Sequence, residues 1–432
     1  MPLIPPLLRR PTFRNFWLGQ TISVFGDQIT LLAIPVVAVL VLHADAKQMG
    51  LLTAVGLLPH LLFSLPAGVW LDKVHRRRRL MIIADLLRGA VIATIAVAYL
   101  TGTLSLGQLF IVTFLVGSLA VIFDISWNTL FVTVAERDEY LSANALFSGS
   151  RSLAQVAGPS IGGALIQFFT APIAILVDAV SYVGSALFLS RVDAPEPAVV
   201  PTAEPLRAQL TTGLAFIFRD SIMRPTIMAA ATLNFFNFGF HALFILYVTT
   251  TLNVSPGLLG LALGAGAVGA VAGAILASRI GRRLGLGPAF VFGLVVFPAA
   301  LILVPLADAS MPLPIVLALL FVMEFFAGFG VMVLDINAGA IIPARTPDRI
   351  RSRVMGSFRF INFGIRPIGA LFGGFLGGMI GVRETLFFVT IASLASVVWL
   401  FGTPVLRLRA TPEAAPDDYA PHAPHTPHAP DE

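Results

Sequence analysis

Five ionisable side chains stand inside stretches otherwise apolar enough to cross a lipid bilayer: Asp27, Arg88, Asp178, Glu324 and Arg366. A charge in hydrocarbon is costly, so such a residue faces a partner or a water-filled cavity, and each is a functional candidate. The chemistry open to them is transfer, not bond making. A carboxylate within a span can take up a proton from one side of a membrane and release it to the other, or hold a cationic molecule directly. Asp27 and Glu324 lead as proton-coupling or substrate-binding groups, and Asp178 is a third. The alternative is fixed pairing, Asp27 with Arg88 and Glu324 with Arg366, which ties helices together without any change of protonation. Asn234, Asn237 and His241 add polar groups to a seventh apolar stretch, where an asparagine either touches a substrate or joins helices by hydrogen bonds.

The elements that must position these groups follow from composition. The chain has 432 residues, of which 57% are hydrophobic and only 12% charged, half the charged share of a soluble domain, about 25%. That supply cannot clothe a water-facing surface, and 38 glycines with 34 phenylalanines suit helices packed closely in lipid. The net charge of +5 sits in short clusters between apolar runs, not along one stripe, so it reads as membrane topology and no nucleic-acid partner is expected. There are no cysteines, which removes disulfides, thiolate metal sites and thiol catalysis; no metal or cofactor is expected. The only lysines are Lys47 and Lys73, an arginine bias that suits a GC-rich bacterial genome. No small-residue cleavage site interrupts the first apolar run, so that run is expected to stay as a span.

A crossing helix needs about 20 residues, and that window gives spans near 15–42, 49–71, 80–101, 105–127, 145–169 and 172–190, then near 222–250, 257–278, 288–307, 313–335, 354–380 and 383–402. With the N-terminus inside, Lys73 with Arg76 to Arg79, Arg191 with Arg207 and Arg219, Arg279 with Arg282 and Arg283, and the basic run from Arg345 to Arg353 all fall on the inner side. Lys47 and Arg383 alone fall outside, an asymmetry that follows the positive-inside rule. The expected fold is an all-α membrane protein of twelve transmembrane helices, with both termini in the cytoplasm. Its parts are a six-helix bundle over 1–190, a linker over 191–220 that begins Pro-rich and ends in an amphipathic helix, a second bundle over 221–402, and a tail over 403–432 rich in Pro, Ala and His. That tail is expected to be disordered, with weak metal capture by its histidines a minor alternative.

The halves echo one another. Asp72 to Arg77 (DKVHRR) aligns with Ser278 to Arg283 (SRIGRR), Asp124-Ile125 with Asp335-Ile336, and Arg151 with Pro159 aligns with Arg359 with Pro367. Ordered matches at nearly one offset argue for duplicated bundles with a substrate cavity between them and rocking as the motion. An acid near a helix N-terminus is favourable, which suits Asp72 as part of a latch with Arg76 and Arg77. Asp124 and Asp335, at the expected inner ends of spans 4 and 10, are placed for similar latches. Topogenic charge alone would explain the arginines but not Asp72.

Gly68-Val-Trp-Leu-Asp72-Lys73-Val-His75-Arg76-Arg77 resembles the signature loop between helices 2 and 3 of the major facilitator superfamily, GxLaDrxGRR, with His75 where that pattern has Gly. Gly158-Pro159-Ser-Ile-Gly162-Gly163 is similar to the GPxxGG element of exporters in that superfamily, with Ala154 in place of its usual earlier Gly. A proline removes a helix hydrogen bond and glycines admit a neighbouring helix, so this stretch can bend and slide; ordinary small-residue packing is the alternative. The opening FRNFWLGQTISVFGDQIT resembles the macrolide-efflux and siderophore-exporter branch of proton-coupled drug antiporters. Span 4 carries no arginine, so the proton-handling motif found there in many such antiporters is missing. The resemblance implies a cytoplasmic latch at Gly68, Asp72, Arg76 and Arg77, alternating access and a monomer.

Taken together, these features predict a secondary-active exporter of hydrophobic or amphipathic compounds in the bacterial inner membrane, driven by protons. A dedicated siderophore, lipid or metabolite exporter, a nutrient facilitator, and a non-transporting receptor or scaffold are the alternatives. The chain has no GxxxxGK[ST] loop for a nucleotide and no HExxH pair, and an enzyme is not expected.

Overall fold

A computed structural model of the chain describes residues 5–71, 74, 76–193 and 206–415. Asp72, Lys73 and His75, most of the Pro-rich segment, and the histidines of the tail lie outside the described residues. Every regular element among the described residues is helical and none is a strand, as lipid requires, because a helix satisfies its own backbone where no water can.

The first half comprises α1 (Pro11–Val36), α2 (Ala46–Leu71), α3 (Arg77–Leu100), α4 (Leu106–Val134), α5 (Tyr140–Phe169) and α6 (Ala171–Ser190). Helix α7 (Leu206–Arg219) joins it to α8 (Met223–Leu246), α9 (Pro256–Leu284), α10 (Leu286–Leu301), its short continuation α11 (Leu303–Leu306), α12 (Leu313–Arg345), α13 (Arg351–Ile380) and α14 (Val382–Leu394). Eleven helices among the described residues are long and apolar enough to cross a membrane. The expected fifth span is present as the 30-residue α5, which is less apolar because Ser148, Ser150, Arg151, Ser152 and Gln155 crowd its first half.

The internal repeat is visible in backbone detail. A π-helical turn closes α1 at Val37–Val41 and α8 at Tyr247–Thr251. Each is followed by a left-handed residue, His43 at φ 52° and Asn253 at φ 53°. A single 3-10 turn precedes α5 (Arg137–Glu139) and α13 (Asp348–Ile350). The repeated local chemistry therefore gives the same helix entries and exits twice.

Within the first half, α1 packs on α5 and α6, and α3 on α4 and α6; within the second, α9 and α10 flank α12 while α13 and α14 flank α8. Two seams join the halves, α2 against α13 and α5 against α9. Both are glycine-lined. A Cβ on Gly50 would lie 2.6 Å from the Gly374 Cα, and one on Gly163 would lie 3.0 Å from the Gly260 Cα, so only glycine permits this backbone approach.

Two expectations change. Helices α4 and α12 run on to Val134 and Arg345, which leaves Asp124 and Asp335 well inside their helices and not at the ends. The described part of the tail, residues 403–415, packs against the second bundle despite its Pro- and Ala-rich composition. Val405 is fully buried, the Gly287 N–H donates to the Leu408 carbonyl at 3.0 Å, and the Ala415 N–H donates to the Arg345 carbonyl at 3.0 Å. These contacts satisfy carbonyls and amides at helix ends, which composition alone cannot foresee.

Candidate functional site

A cavity of about 570 Å³ lies between the halves. Gln20 of α1, His60 and Ser64 of α2, Asp124 and Asn128 of α4 and Arg151 of α5 line one side, and Arg359, Phe360 and Phe363 of α13 line the other. These residues fall in the helix halves nearest the α2–α3, α4–α5 and α12–α13 turns, whereas the Gly50–Gly374 and Gly163–Gly260 contacts seal the opposite end. The cavity is therefore closed at one face of the bundle and placed toward the face that carries the basic loops.

Beside it, α1, α3 and α6 hold a charged network. The Arg88 guanidinium is 6% exposed and reaches Asp27 at 3.2 Å and Asp85 at 3.1 Å, while its plane lies over the Tyr182 ring at 4.2 Å. Tyr182 donates its hydroxyl to Asp27 at 2.6 Å. Asp85 is fully buried, whereas Asp27 remains 38% exposed. Asp27 is seven residues after the cavity-lining Gln20, two helical turns along the same stripe of α1, and so is the member of the network turned toward the cavity. Asp178 is also fully buried; Thr30 and Ser181 donate their hydroxyls to its two oxygens. Gly26 makes room for this arrangement, because a Cβ there would collide with Asp178 and Ser181. Asp27 and Asp85 thus share one guanidinium, with Asp178 buried beside them on α6.

The second half differs. Glu324 is half-buried against Gly266 of α9 and makes no hydrogen bond or ion pair among the described residues. Arg366 does not pair with it. The Arg366 guanidinium instead lies 5.0 Å from the Phe238 ring and 4.7 Å from the Phe363 ring, and donates to Asn362 at 3.0 Å, with Asp335 within electrostatic reach. Glu324 and Asp335 are eleven residues apart, about three turns, and so occupy one stripe of α12. Asn237 is buried, while Asn234 donates to the Ala230 carbonyl one turn back at 2.9 Å. His241 packs its ring near Phe238 and Phe240.

Of the proposed latch, Gly68 has open space around it, Arg76 is exposed and Arg77 is buried, and Asp72 lies outside the described residues. The α5 stretch continues as helix through Pro159. Gly158 lies against Gln28 of α1, Gly162 against Ile29, and Gly163 against Pro256 and Gly260 of α9. Gly158-Pro159-Ser160-Ile161-Gly162 also has the letters of a hydrolase nucleophile elbow, but that chemistry needs a strand-to-helix turn. Here Ser160 sits mid-helix and donates to the Gly260 carbonyl at 3.3 Å.

The family described as transmembrane secretion effector matches residues 3–426. The chain belongs to this family, within the major facilitator superfamily. It is 26% identical over 406 residues to the multidrug efflux pump Tap of Mycobacterium tuberculosis (strain ATCC 25618 / H37Rv), covering 90% of this chain and 93% of Tap. It is 25% identical over 394 residues to Tap of Mycolicibacterium fortuitum, covering 88% and 93%. The fold is similar to that of the nucleoside transporter NupG, with a TM-score of 0.73 at 11% identity over 90% of this chain and 98% of NupG. This is a multi-pass membrane transporter.

Depth in the apolar runs found Asp27, Arg88 and Asp178, which the structure brings to one network, but missed Asp85 and Tyr182. An acid one turn before Arg88, at i and i+3, is the signal that marks Asp85.

Proposed function

We propose that this transporter is a secondary-active exporter of hydrophobic or amphipathic small molecules, drugs and antibiotics among them, working by alternating access in a bacterial cytoplasmic membrane with protons as the counter-flow. Helix α5 counts as a twelfth crossing, both termini face the cytoplasm, and the protein works as a monomer. The observation that carries the reading is the cavity between two repeated helix bundles, glycine-sealed at one end, in a chain similar over nine-tenths of its length to multidrug efflux pumps. Two discrete states of such seams are what alternating access requires.

Asp27, turned toward the cavity and tied through Arg88 to the buried Asp85, and Glu324, unpaired among the described residues, are the proton-coupling candidates. Gly158, Pro159, Gly162 and Gly163 form the seam along which α5 slides on α1 and α9. The loop from Gly68 to Arg77 serves as the cytoplasmic latch.

The test is efflux of fluorescent hydrophobic cations, amphipathic organic acids and macrolides from cells expressing the chain at matched levels, with and without a protonophore, for wild type, Asp27→Asn and Glu324→Gln. Protonophore-sensitive efflux lost in either variant supports a coupled exporter. Intact efflux in both variants removes these carboxylates from coupling. No efflux of any compound shifts the reading to a dedicated metabolite or siderophore exporter.

A further inference from the structure

Arg151 and Arg359 have no part in the proton-linked reading. They occupy matching places in the two halves, each eight residues before a helix proline, Pro159 or Pro367. Both line the one cavity, from opposite walls, and both are exposed. Among the described residues neither makes an ion pair within 4.0 Å.

The other titratable groups in the cavity lining are Asp124 and His60. Asp124 lies within electrostatic reach of Arg88 and, more weakly, of Arg151, and so offsets at most one guanidinium. Deeper in the bundle, Asp27 and Asp85 pair with Arg88, Asp178 is held by the hydroxyls of Thr30 and Ser181, and Asp335 lies within electrostatic reach of Arg366. Even with His60 neutral, the lining keeps one uncompensated positive charge, at Arg359. The walls beside it are aromatic: Trp127, Phe360 and Phe363 line the cavity, and the His60 ring stacks on Phe363 at 5.8 Å and 19°. Guanidinium groups recognise carboxylates and phosphates through paired N–H donors, and a flat apolar body suits the aromatic wall.

We propose that Arg151 and Arg359 form an anion clamp, and that the cargo is an amphipathic organic acid with an aromatic or polycyclic body. The inference rests on the exporter reading and names its substrate class. Two like charges on opposite walls repel and hold the mouth apart. An anionic group seated between them reverses that sign and draws α5 and α13 together, so that the charge that selects the cargo also favours closure over it.

The experiment measures binding of two rhodamines on one xanthene scaffold, a free carboxylate and its methyl ester, by fluorescence anisotropy to protein in phosphatidylcholine nanodiscs, where no anionic lipid competes. Wild type is expected to bind the acid roughly tenfold tighter than the ester, the size of a charge-assisted hydrogen bond. That preference collapses toward one in Arg151→Gln and Arg359→Gln and persists in part in Arg359→Lys, which keeps the charge in a variant of similar size. Equal binding of acid and ester by wild type, or tighter binding of the ester, overturns the clamp and leaves the exporter reading standing. Wild type that binds neither dye overturns the clamp, while the exporter reading stands or falls by the efflux test above.

Discussion

Gly50→Ala is the sharpest available perturbation of the seal between α2 and α13. The added Cβ would lie 2.6 Å from the Gly374 Cα and 2.8 Å from the Ala370 carbonyl oxygen, where unstrained carbon contacts sit at about 3.5–4.0 Å. Both obstacles are backbone, so no rotamer relieves them, and the helices must part by about 1 Å. Overpacking of this size costs about 1–3 kcal/mol, and the cost falls only on the state in which the seal is shut. A penalty confined to one state shifts the conformational equilibrium by about five- to 150-fold toward the other. The chain has no cysteine, so a single thiol at Ala54, one turn deeper than Gly50 and 5% exposed, reports on the seal. Labelling of Ala54→Cys by a membrane-impermeant maleimide added outside intact cells should be at least about fivefold faster with Gly50→Ala than with Gly50. Gly374→Ala, whose Cβ meets the Gly50 Cα at 2.6 Å, should act alike. An unchanged or slower rate at equal expression would refute both the seal and the sidedness assigned to it.

Three further outcomes follow from the packing. Arg88→Leu strands the fully buried Asp85 carboxylate and should cost about 3–5 kcal/mol, read as a lower melting temperature in detergent that Asp85→Asn partly restores; no rescue would mean that Arg88 matters by its volume alone. Val405→Asp places an unpaired charge in a fully buried site of the C-terminal strap and should cost several kcal/mol, and a melting temperature equal to wild type would show that the strap does not hold. In the turn before α12, the Ser310 backbone N–H and the Arg383 guanidinium hold the Asp308 carboxyl below the ordinary carboxylate range. Because the folded value is depressed, the stabilisation is complete above the ordinary value and is lost as pH falls through it toward the folded one. Asp308→Asn should flatten that acid limb of the melting curve and leave the neutral limb parallel to wild type.

Apolar run length was enough to locate the helices, because in lipid a run that long has no other way to satisfy its backbone. It was least informative at α5, whose serines and Arg151 dilute the apolar signal on a helix that lies along a seam. For the site, depth along a span is legible but azimuth is not. Glu324 and Arg366 stand at comparable depth, yet one points to Gly266 of α9 and the other into the rings of Phe238 and Phe363. Asp27 and Arg88 also stand at comparable depth and do meet. Only packing decides between such cases. The strap over residues 403–415 was illegible for another reason: three or four anchoring contacts, with Val405 chief among them, outweigh a composition that otherwise favours disorder.

The duplicated bundles share their backbone devices and only part of their chemistry. The π-turns, the left-handed residues after them and the 3-10 entries to α5 and α13 recur in both halves. Arg151 with Arg359 and Asp124 with Asp335 recur as well, but the deeper charges do not: α1, α3 and α6 gather Asp27, Asp85, Asp178 and Arg88 around Tyr182, while Arg366 in the second half is held by aromatic rings and Glu324 by no partner among the described residues. Within the exporter reading, this division of labour has a physical consequence. Asp27 is bonded within a network confined to one half, so on that reading an event at Asp27 would act on that half's internal packing without crossing a seam. The arginine pair spans both halves and responds to cargo at the seam itself. Proton and cargo then act on different interfaces of one rocking body, and exchange between them needs no direct contact, only that each favours the opposite state of the Gly50–Gly374 seal.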